Sequence, residues 1–145
     1  MVNAQAIAQV LGGRKALGRP IRSMTELDEL VSEGIPRPAL DALVSHLASP
    51  KDERTQLSLR YKIIPRATYQ RSPRLNLHYS ETTERLARLY AMAHAVWQDV
   101  ETTRRFLMAP HPELGGKTPL DAALTEIGGR RVEEVIARGL HGLPV

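Results

Sequence analysis

The sequence predicts an all-α protein, and three observations support this prediction. Apolar residues recur at the 3.6-residue spacing of an amphipathic helix along almost the whole chain. No segment alternates apolar and polar residues for long enough to predict a strand. Capping residues, prolines and glycines divide the 145 residues into successive helical segments. A chain of this length forms one domain or two small ones and buries a core without disulfides.

The composition predicts a soluble protein of a reducing compartment. The chain contains no cysteine, which excludes a disulfide framework and a cysteine-based zinc site. No apolar run approaches the roughly 18 residues that span a bilayer. Residues 1–10 lack the basic and long apolar regions of a signal peptide. We therefore expect a cytoplasmic protein that does not associate with a membrane.

The first predicted helix carries Ile7, Val10 and Leu11 at helical spacing. It is expected to end at the glycine pair 12–13, because glycine tolerates the backbone angles at which helices stop. Residues 14–22 follow as a predicted basic linker, since they combine four cations with a glycine and a proline.

The next two predicted helices begin at capping residues or prolines. Ser23 or Thr25 caps the second helix, which is expected to end at Gly34. Pro36 or Pro38 opens the third, because proline is tolerated in the first helical turn. The apolar residues of this third helix follow the i, i+3, i+4, i+7 rule and are Leu40, Leu43, Val44 and Leu47.

Two further predicted helices have the length and pattern of a helix-turn-helix. The first runs from Asp52 to about Tyr61 and the second from Pro65 to Arg71. In the predicted turn between them, Lys62 stands where such turns usually carry glycine. A lysine holds a positive φ only at some cost. A pair of helices that packs or dimerises without binding DNA is therefore an alternative.

A basic surface is predicted on this helix pair. Between residues 54 and 74 lie six Lys or Arg residues and no acid, whereas residues 76–145 carry eight cations and nine acids. A local field of one sign attracts phosphate, and arginine on guanine is the commonest specific contact to a base. The candidate DNA contacts are Arg54, Lys62, Arg66, Thr68, Tyr69, Arg71 and Arg74.

The longest predicted helix follows a break at Pro73 and is expected to be capped by Ser80. The apolar stripe predicted to be buried consists of Leu86, Leu89, Tyr90, Ala93, Val96 and Trp97. A further helix is predicted from Asp99 to Met108.

A compact helical hairpin is predicted at the C-terminal end. Thr118 caps its first helix, with Pro119 at the first helical position. The glycine pair 128–129 is predicted to separate this helix from a last amphipathic segment, which begins at Val132 and ends at Gly139.

The order of these residues resembles the C-terminal toxin-binding domain of Xre-type (MbcA/ParS-like) antitoxins. The shared features are an aromatic–Leu pair at Phe106, a Leu-Gly-Gly-x-Thr-Pro-Leu-Asp run over residues 114–121 and a Gly-x-x-x-Val-Glu pattern over residues 128–133. The resemblance covers residues 81–142 and departs at Phe106, where the family carries Trp. It implies the antitoxin of a type II toxin–antitoxin pair. The partner toxin in that family is often a RES-domain protein, a small enzyme that consumes NAD.

The resemblance also implies two regions. Residues 1–79 form an Xre-like helix-turn-helix region for DNA binding and dimerisation, and residues 80–145 form the toxin-binding domain with a C-terminal arm. The recognition helix of the family carries an Ile-Ser/Pro-Arg-x-Thr pattern, which residues 64–68 match. We expect a homodimer, a higher-order complex with the toxin and repression of its own operon, because a two-fold protein suits a two-fold operator.

The C-terminal end is expected to neutralise the toxin by occluding its active site, since the resembling family presents this end to its partner. Apolar Leu140, Leu143 and Val145 precede a free carboxylate, and such an arm fits a cleft built for an anionic dinucleotide. An end without a role is the alternative. The expected toxin contacts are Phe106, Leu114, Val132, Arg138, Gly139, Leu140, His141, Gly142, Leu143, Pro144 and Val145.

No enzymatic activity is expected from the sequence. The five histidines lack the spacing of metal ligands, and no nucleophile is paired with a base, so we expect neither a metal nor another cofactor. The alternative function is that of a stand-alone helix-turn-helix transcriptional regulator, in which the C-terminal domain senses a signal or only dimerises.

Overall fold

A computed structural model describes residues 2–142, and within that range the chain forms ten α-helices and one 3₁₀ helix. The α-helices are α1 (Ala4–Val10), α2 (Gly13–Leu17), α3 (Met24–Glu33), α4 (Arg37–Leu47), α5 (Glu53–Ile63), α6 (Arg66–Arg71), α7 (Leu77–Trp97), α8 (Val100–Met108), α9 (Pro119–Ala122) and α10 (Glu126–Leu140). The 3₁₀ helix Pro112–Leu114 lies between α8 and α9. The all-α prediction is confirmed, because the described residues contain no β-strand. In the same range, no helix combines the length and the apolar character needed to cross a membrane.

The central helix of the fold is α7. It packs against α1, α3, α4 and α5 on the N-terminal side of the chain and against α8 and α10 on the C-terminal side. A single cluster of buried apolar residues therefore runs through the molecule. Of the predicted stripe, Val96 and Trp97 are only partly buried, and the fully buried members are Leu86, Leu89, Tyr90 and Ala93. The predicted boundary between residues 79 and 80 lies in the first turn of α7.

Helix starts follow the predicted capping chemistry at several points. The side chain of Ser23, one of two predicted caps, accepts a hydrogen bond from the Glu26 N–H. Asp99, predicted as the first residue of a helix, is instead its cap and accepts a hydrogen bond from the Thr102 N–H. Thr118 caps α9, with Pro119 at its first position. Such a bond satisfies one of the N–H groups that lack a partner inside the helix.

The predicted linker over residues 14–22 is wrong in its first part, which forms α2. Gly12 has a φ of +94°, and this left-handed angle turns the chain directly from α1 into α2. Leu17 is buried and belongs to the helix that packs on α4. Burial of Leu17 therefore stabilises a helix here despite the neighbouring cations.

Ser80 does not cap the longest helix, because α7 begins earlier, behind the cap Asn76. Ser80 is fully buried inside the helix. Its hydroxyl accepts a hydrogen bond from the Ile35 N–H at 2.9 Å and lies 3.2 Å from the Leu75 carbonyl, to which it donates. It therefore ties the connection between α3 and α4 to the start of α7.

The predicted break at the glycine pair 128–129 is also wrong, since both glycines lie in the first turn of α10. The helix starts behind the cap Thr125 and continues through Gly139 to Leu140, so Gly139 does not end it. A Cβ atom on Gly128 would lie 1.7 Å from the Ala122 carbonyl oxygen. Glycine is needed here because α9 and α10 approach closely and not because the helix stops.

Candidate functional site

The predicted helix-turn-helix corresponds to α5 and α6, but its turn differs from the prediction. Lys62 and Ile63 belong to the last turn of α5, so the predicted turn through residue 62 is wrong. Ile64 is extended, with a φ of −143° and a ψ of 138°, because the following Pro65 excludes the helical region for its neighbour. Since φ is negative at Ile64 and Pro65, this turn does not need a glycine.

Three of the candidate DNA contacts are exposed cations of this helix pair that form no ion pair among the described residues. They are Arg54 on α5 and Arg66 and Arg71 on α6. The Arg66 guanidinium lies 4.4 Å from the centroid of the Tyr61 ring, an arrangement that orients a cation without neutralising it. Thr68 lies on the same short helix and is partly exposed.

The remaining candidate contacts are engaged within the protein. Lys62 forms an ion pair with Asp121 of α9, with Nζ 2.9 Å from Oδ1. Arg74 donates to the Gly34 carbonyl at 2.7 Å. The Tyr69 hydroxyl donates to Asp41 of α4 at 2.8 Å. These contacts attach the basic segment to the rest of the bundle.

A second surface lies where the C-terminal ends of α7, α8 and α10 meet. An open groove there, which we name the aromatic groove, is lined by residues that include Val96, Trp97, Arg105, Phe106, Gly139 and Gly142. The ring centroids of Trp97 and Phe106 are 4.7 Å apart, and Phe106 also meets the edge of His111 at 6.3 Å. Both large rings are partly exposed, while Arg105 is exposed at the rim. The groove can therefore bind an apolar side chain of a partner at the rings and an anionic group at Arg105.

Two predicted toxin contacts are buried. Leu114 is 2% exposed and Val132 is 0% exposed, so their side chains fill the core. In contrast, Leu140 is 50% exposed at the end of α10, next to exposed His141 and Gly142. The other predicted contacts of the arm, Leu143, Pro144 and Val145, lie outside the described residues.

Arg138, another predicted contact, pairs with Glu113 of the 3₁₀ helix. Both guanidinium Nη atoms meet the Glu113 carboxylate, the Nη1–Oε1 distance being 2.7 Å. Arg131 also donates to the Glu113 carbonyl. The hydrogen bond from Arg138 is the main cause that lowers the pKa of Glu113. This bidentate pair fixes the motif-bearing turn against α10.

Both surfaces contain residues that the sequence patterns do not assign to them. Trp97 belongs to the predicted buried stripe, although its place at the end of the longest helix, close to an aromatic motif residue, is a signal for the groove. Arg37 and Asp41 stand four residues apart on α4 and therefore share a face. That spacing indicates a polar patch but not the tyrosine that completes it. Among residues 2–142, no group of three or more His, Asp or Glu side chains is arranged to hold a metal ion.

Comparison with known proteins identifies the C-terminal segment. Residues 92–142 match the family model described as the antitoxin Xre/MbcA/ParS C-terminal toxin-binding domain. The match begins within α7, contains α8, α9 and α10 and includes every named residue of the aromatic groove. No curated protein matches the chain. The resemblance predicted from the sequence is therefore confirmed for residues 92–142, which are similar to this toxin-binding domain.

Proposed function

We propose that this chain, whose residues 92–142 form a toxin-binding domain of the Xre/MbcA/ParS family, is the antitoxin of a type II toxin–antitoxin pair. The family match is the observation that carries the proposal. Its partner is a RES-domain toxin that consumes NAD, and neutralisation occludes the active site of that enzyme. The antitoxin binds operator DNA as a homodimer through its residues 1–79 and represses its own operon in the cytoplasm.

The aromatic groove is the surface that we assign to the toxin, together with residues 140–145 that continue from it. Aromatic side chains contribute large contact areas at a low entropic cost and commonly dominate interface energies. Phe106 is the best anchor, because its ring packs against Trp97 at a tilt of 37° and is still partly exposed. Gly142, the last described residue, lines this groove. An arm from this point can extend into the toxin while the groove holds the toxin surface.

The DNA surface that we propose is the exposed side of α5 and α6. Arg66 and Arg71 project from the short α6, and Arg54 adds a charge on α5. Exposed guanidinium groups bind phosphate oxygens and the edge of guanine. The acid-free composition of residues 54–74 supports this assignment.

The toxin proposal is tested by co-expression with the product of the reading frame beside this gene. Phe106→Ala should weaken the complex at least tenfold and leave cellular NAD unprotected, because loss of a central aromatic anchor typically costs 2 kcal/mol or more. The matched control is Leu77→Ala, which removes an exposed apolar side chain from the far end of α7. If neither the wild-type protein nor the control binds such a neighbour or preserves NAD, the toxin assignment is rejected.

The DNA proposal is tested by titrating a labelled duplex of the promoter upstream of this gene at several salt concentrations. Replacing Arg66 and Arg71 with alanine should reduce the affinity and flatten its salt dependence by about two released counterions. Binding of the toxin should stay unchanged in this double variant. A wild-type protein that binds DNA but forms no complex with any neighbouring gene product would instead support the stand-alone regulator, which the exposed basic surface also fits.

A further inference from the structure

We infer that Tyr69 is a positioning residue, which holds the DNA-facing helix α6 on the bundle through a polar clamp formed with Arg37, Asp41 and Arg60. This inference rests on the proposed DNA-binding function. It removes Tyr69 from the set of DNA contacts and adds three residues of α4 and α5 that never touch the nucleic acid. These four residues form what we call the polar clamp.

The need for such a clamp follows from the size of α6. The helix has six residues, and every one of them is at least partly exposed to solvent. A helix this short is not stable by itself in water, and most helical stability in proteins comes from packing an apolar face. Because α6 has little such packing, its position depends on the contacts of its few inward-facing groups.

Tyr69 supplies the side-chain part of the clamp. Its hydroxyl lies 2.8 Å and 3.0 Å from the two carboxylate oxygens of Asp41 and donates to them. The same carboxylate forms an ion pair with Arg60 of α5, with Oδ1 2.9 Å from Nη2. Hydrogen bonds to a charged acceptor are stronger than those between neutral groups. One acid therefore joins α4, α5 and α6.

Arg37 supplies the backbone part. Its Nη1 donates to the Tyr69 carbonyl at 2.9 Å and reaches the Gln70 carbonyl at 3.3 Å. These oxygens lie in the last turn of α6, where carbonyls lack partners inside the helix. The Arg37 guanidinium is also 5.3 Å from the Tyr69 ring centroid, and that of Arg60 is 4.7 Å from it. The phenol ring is thus held by two cations while its hydroxyl faces the acid.

The orientation of Tyr69 sets that of the exposed side chains on the same helix. With the phenol turned toward α4 and α5, Arg66 and Arg71 remain exposed. A small rotation of α6 would move both guanidinium groups away from the DNA, and misplacement of a positioned group reduces binding without removing a contact. Asp41 is therefore useful in a cationic surface although its charge repels phosphate.

The direction in which one substitution changes the DNA affinity distinguishes the clamp from a simple charge effect. Asp41→Asn removes an acid from the basic surface, so electrostatics alone predicts tighter binding of the promoter duplex. The clamp predicts weaker binding, by about tenfold, because the charged acceptor for Tyr69 and Arg60 is lost. Tyr69→Phe should weaken binding to a similar extent, and the double variant should be no weaker than either single variant, since both act through one unit.

The salt dependence separates positioning from direct contact. Tyr69→Phe should leave the slope of log affinity against log salt unchanged, whereas the control Arg66→Ala should reduce it by about one. Tighter binding by Asp41→Asn, a reduced slope in Tyr69→Phe, or wild-type affinity in Tyr69→Phe would each overturn the inference.

Hydrogen exchange tests the clamp without DNA. At neutral pH, Tyr69→Phe should speed the exchange of the amides of Tyr69 and Ser72, which bond to Pro65 and Thr68, by at least about tenfold. Amides in the middle of α7 should exchange as in the wild-type protein. If the wild-type protein binds neither promoter nor random duplex, the DNA proposal fails, and unchanged exchange in α6 would overturn the clamp independently.

Discussion

At the scale of single residues, the partner of a side chain decides what its charge or hydroxyl does. Arg66 and Lys62 are both cations of the same basic segment, but Arg66 stays exposed over a tyrosine ring while Lys62 is paired with Asp121. Tyr69 is held by a carboxylate, and burial together with this hydrogen bond raises the pKa of its phenol to about 12. The proton of Tyr69 is therefore part of what holds α6 in place.

Alkaline pH should consequently weaken the fold through Tyr69. An unfolded tyrosine loses its proton near pH 10 and the native Tyr69 near pH 12, so the native state binds more protons between these values and its stability falls as pH rises. The contribution is complete below pH 10 and lost as pH passes 12. The measurement is the free energy of unfolding from urea titrations at pH values from 9 to 12. Over this range it should fall by about 1 kcal/mol less in Tyr69→Phe than in the wild-type protein, after allowance for solvent screening. Parallel curves for the two proteins would show that this proton is not linked to folding.

At the scale of helices and turns, capping explains most starts, and long-range contacts explain the exceptions. Ser23 and Thr118 could be predicted as caps because a cap needs only an oxygen at the right place in the sequence. Ser80 looks like a cap as well, yet its hydroxyl serves Ile35, a partner 45 residues away. The glycine pair 128–129 likewise looks like a helix end, because glycine commonly follows the last residue of a helix. Local chemistry cannot reveal that the Ala122 carbonyl occupies the space of a missing Cβ.

The two neighbouring glycines of α10 should respond differently to alanine. Gly128→Ala drives a Cβ into the Ala122 carbonyl and against the capping hydroxyl of Thr125, so one of these backbone segments must move. We expect a loss of about 3 kcal/mol of unfolding free energy. Gly129→Ala meets the Arg85 side chain at 2.6 Å and is expected to cost less, because that side chain has rotatable bonds and alanine favours the helix.

Thermal or urea unfolding of both variants checks this order. In Gly128→Ala, neutralisation of the proposed toxin should decrease only in proportion to the loss of folded protein. Arg85 pairs with Glu126 and donates to the Ala123 carbonyl. An equal or larger loss of stability for Gly129→Ala would mean that these two contacts stabilise the hairpin more than the close approach of α9 to α10 does.

At the scale of the whole molecule, two candidate surfaces are built on one core. The basic surface of α5 and α6 and the aromatic groove both depend on elements that pack on α7. The fold class, the cap chemistry and the toxin-binding family could be predicted from sequence, since helical periodicity and a motif of fixed order are local signals. The pairing of Lys62 with Asp121 and the groove itself could not, because they join segments distant in the chain.

Deleting residues 143–145 should separate stability from function. Because we propose that the arm contacts the toxin and not the fold, the melting temperature of the truncated protein should stay nearly unchanged. Neutralisation should nevertheless be impaired, because the arm is proposed to enter the toxin cleft. Growth and NAD level with the toxin co-expressed provide the measurement. If the truncated protein neutralises fully, the aromatic groove carries the inhibition and the arm has no part in it.

The position of α7 also bears on how new specificities arise by recombination. The segment that matches the toxin-binding family starts at residue 92, inside α7, although Arg85 and Arg88 of the preceding turns already contact Ala123 and Glu133 on the C-terminal side. A crossover at that edge would join half of one helix to half of another and would place both arginines against foreign partners. Exchange should succeed only when the breakpoint lies before Asn76 and the contacts of α7 are matched on both sides. We therefore expect the proposed operator and toxin specificities to be inherited together in lineages of this protein, rather than exchanged as separate modules.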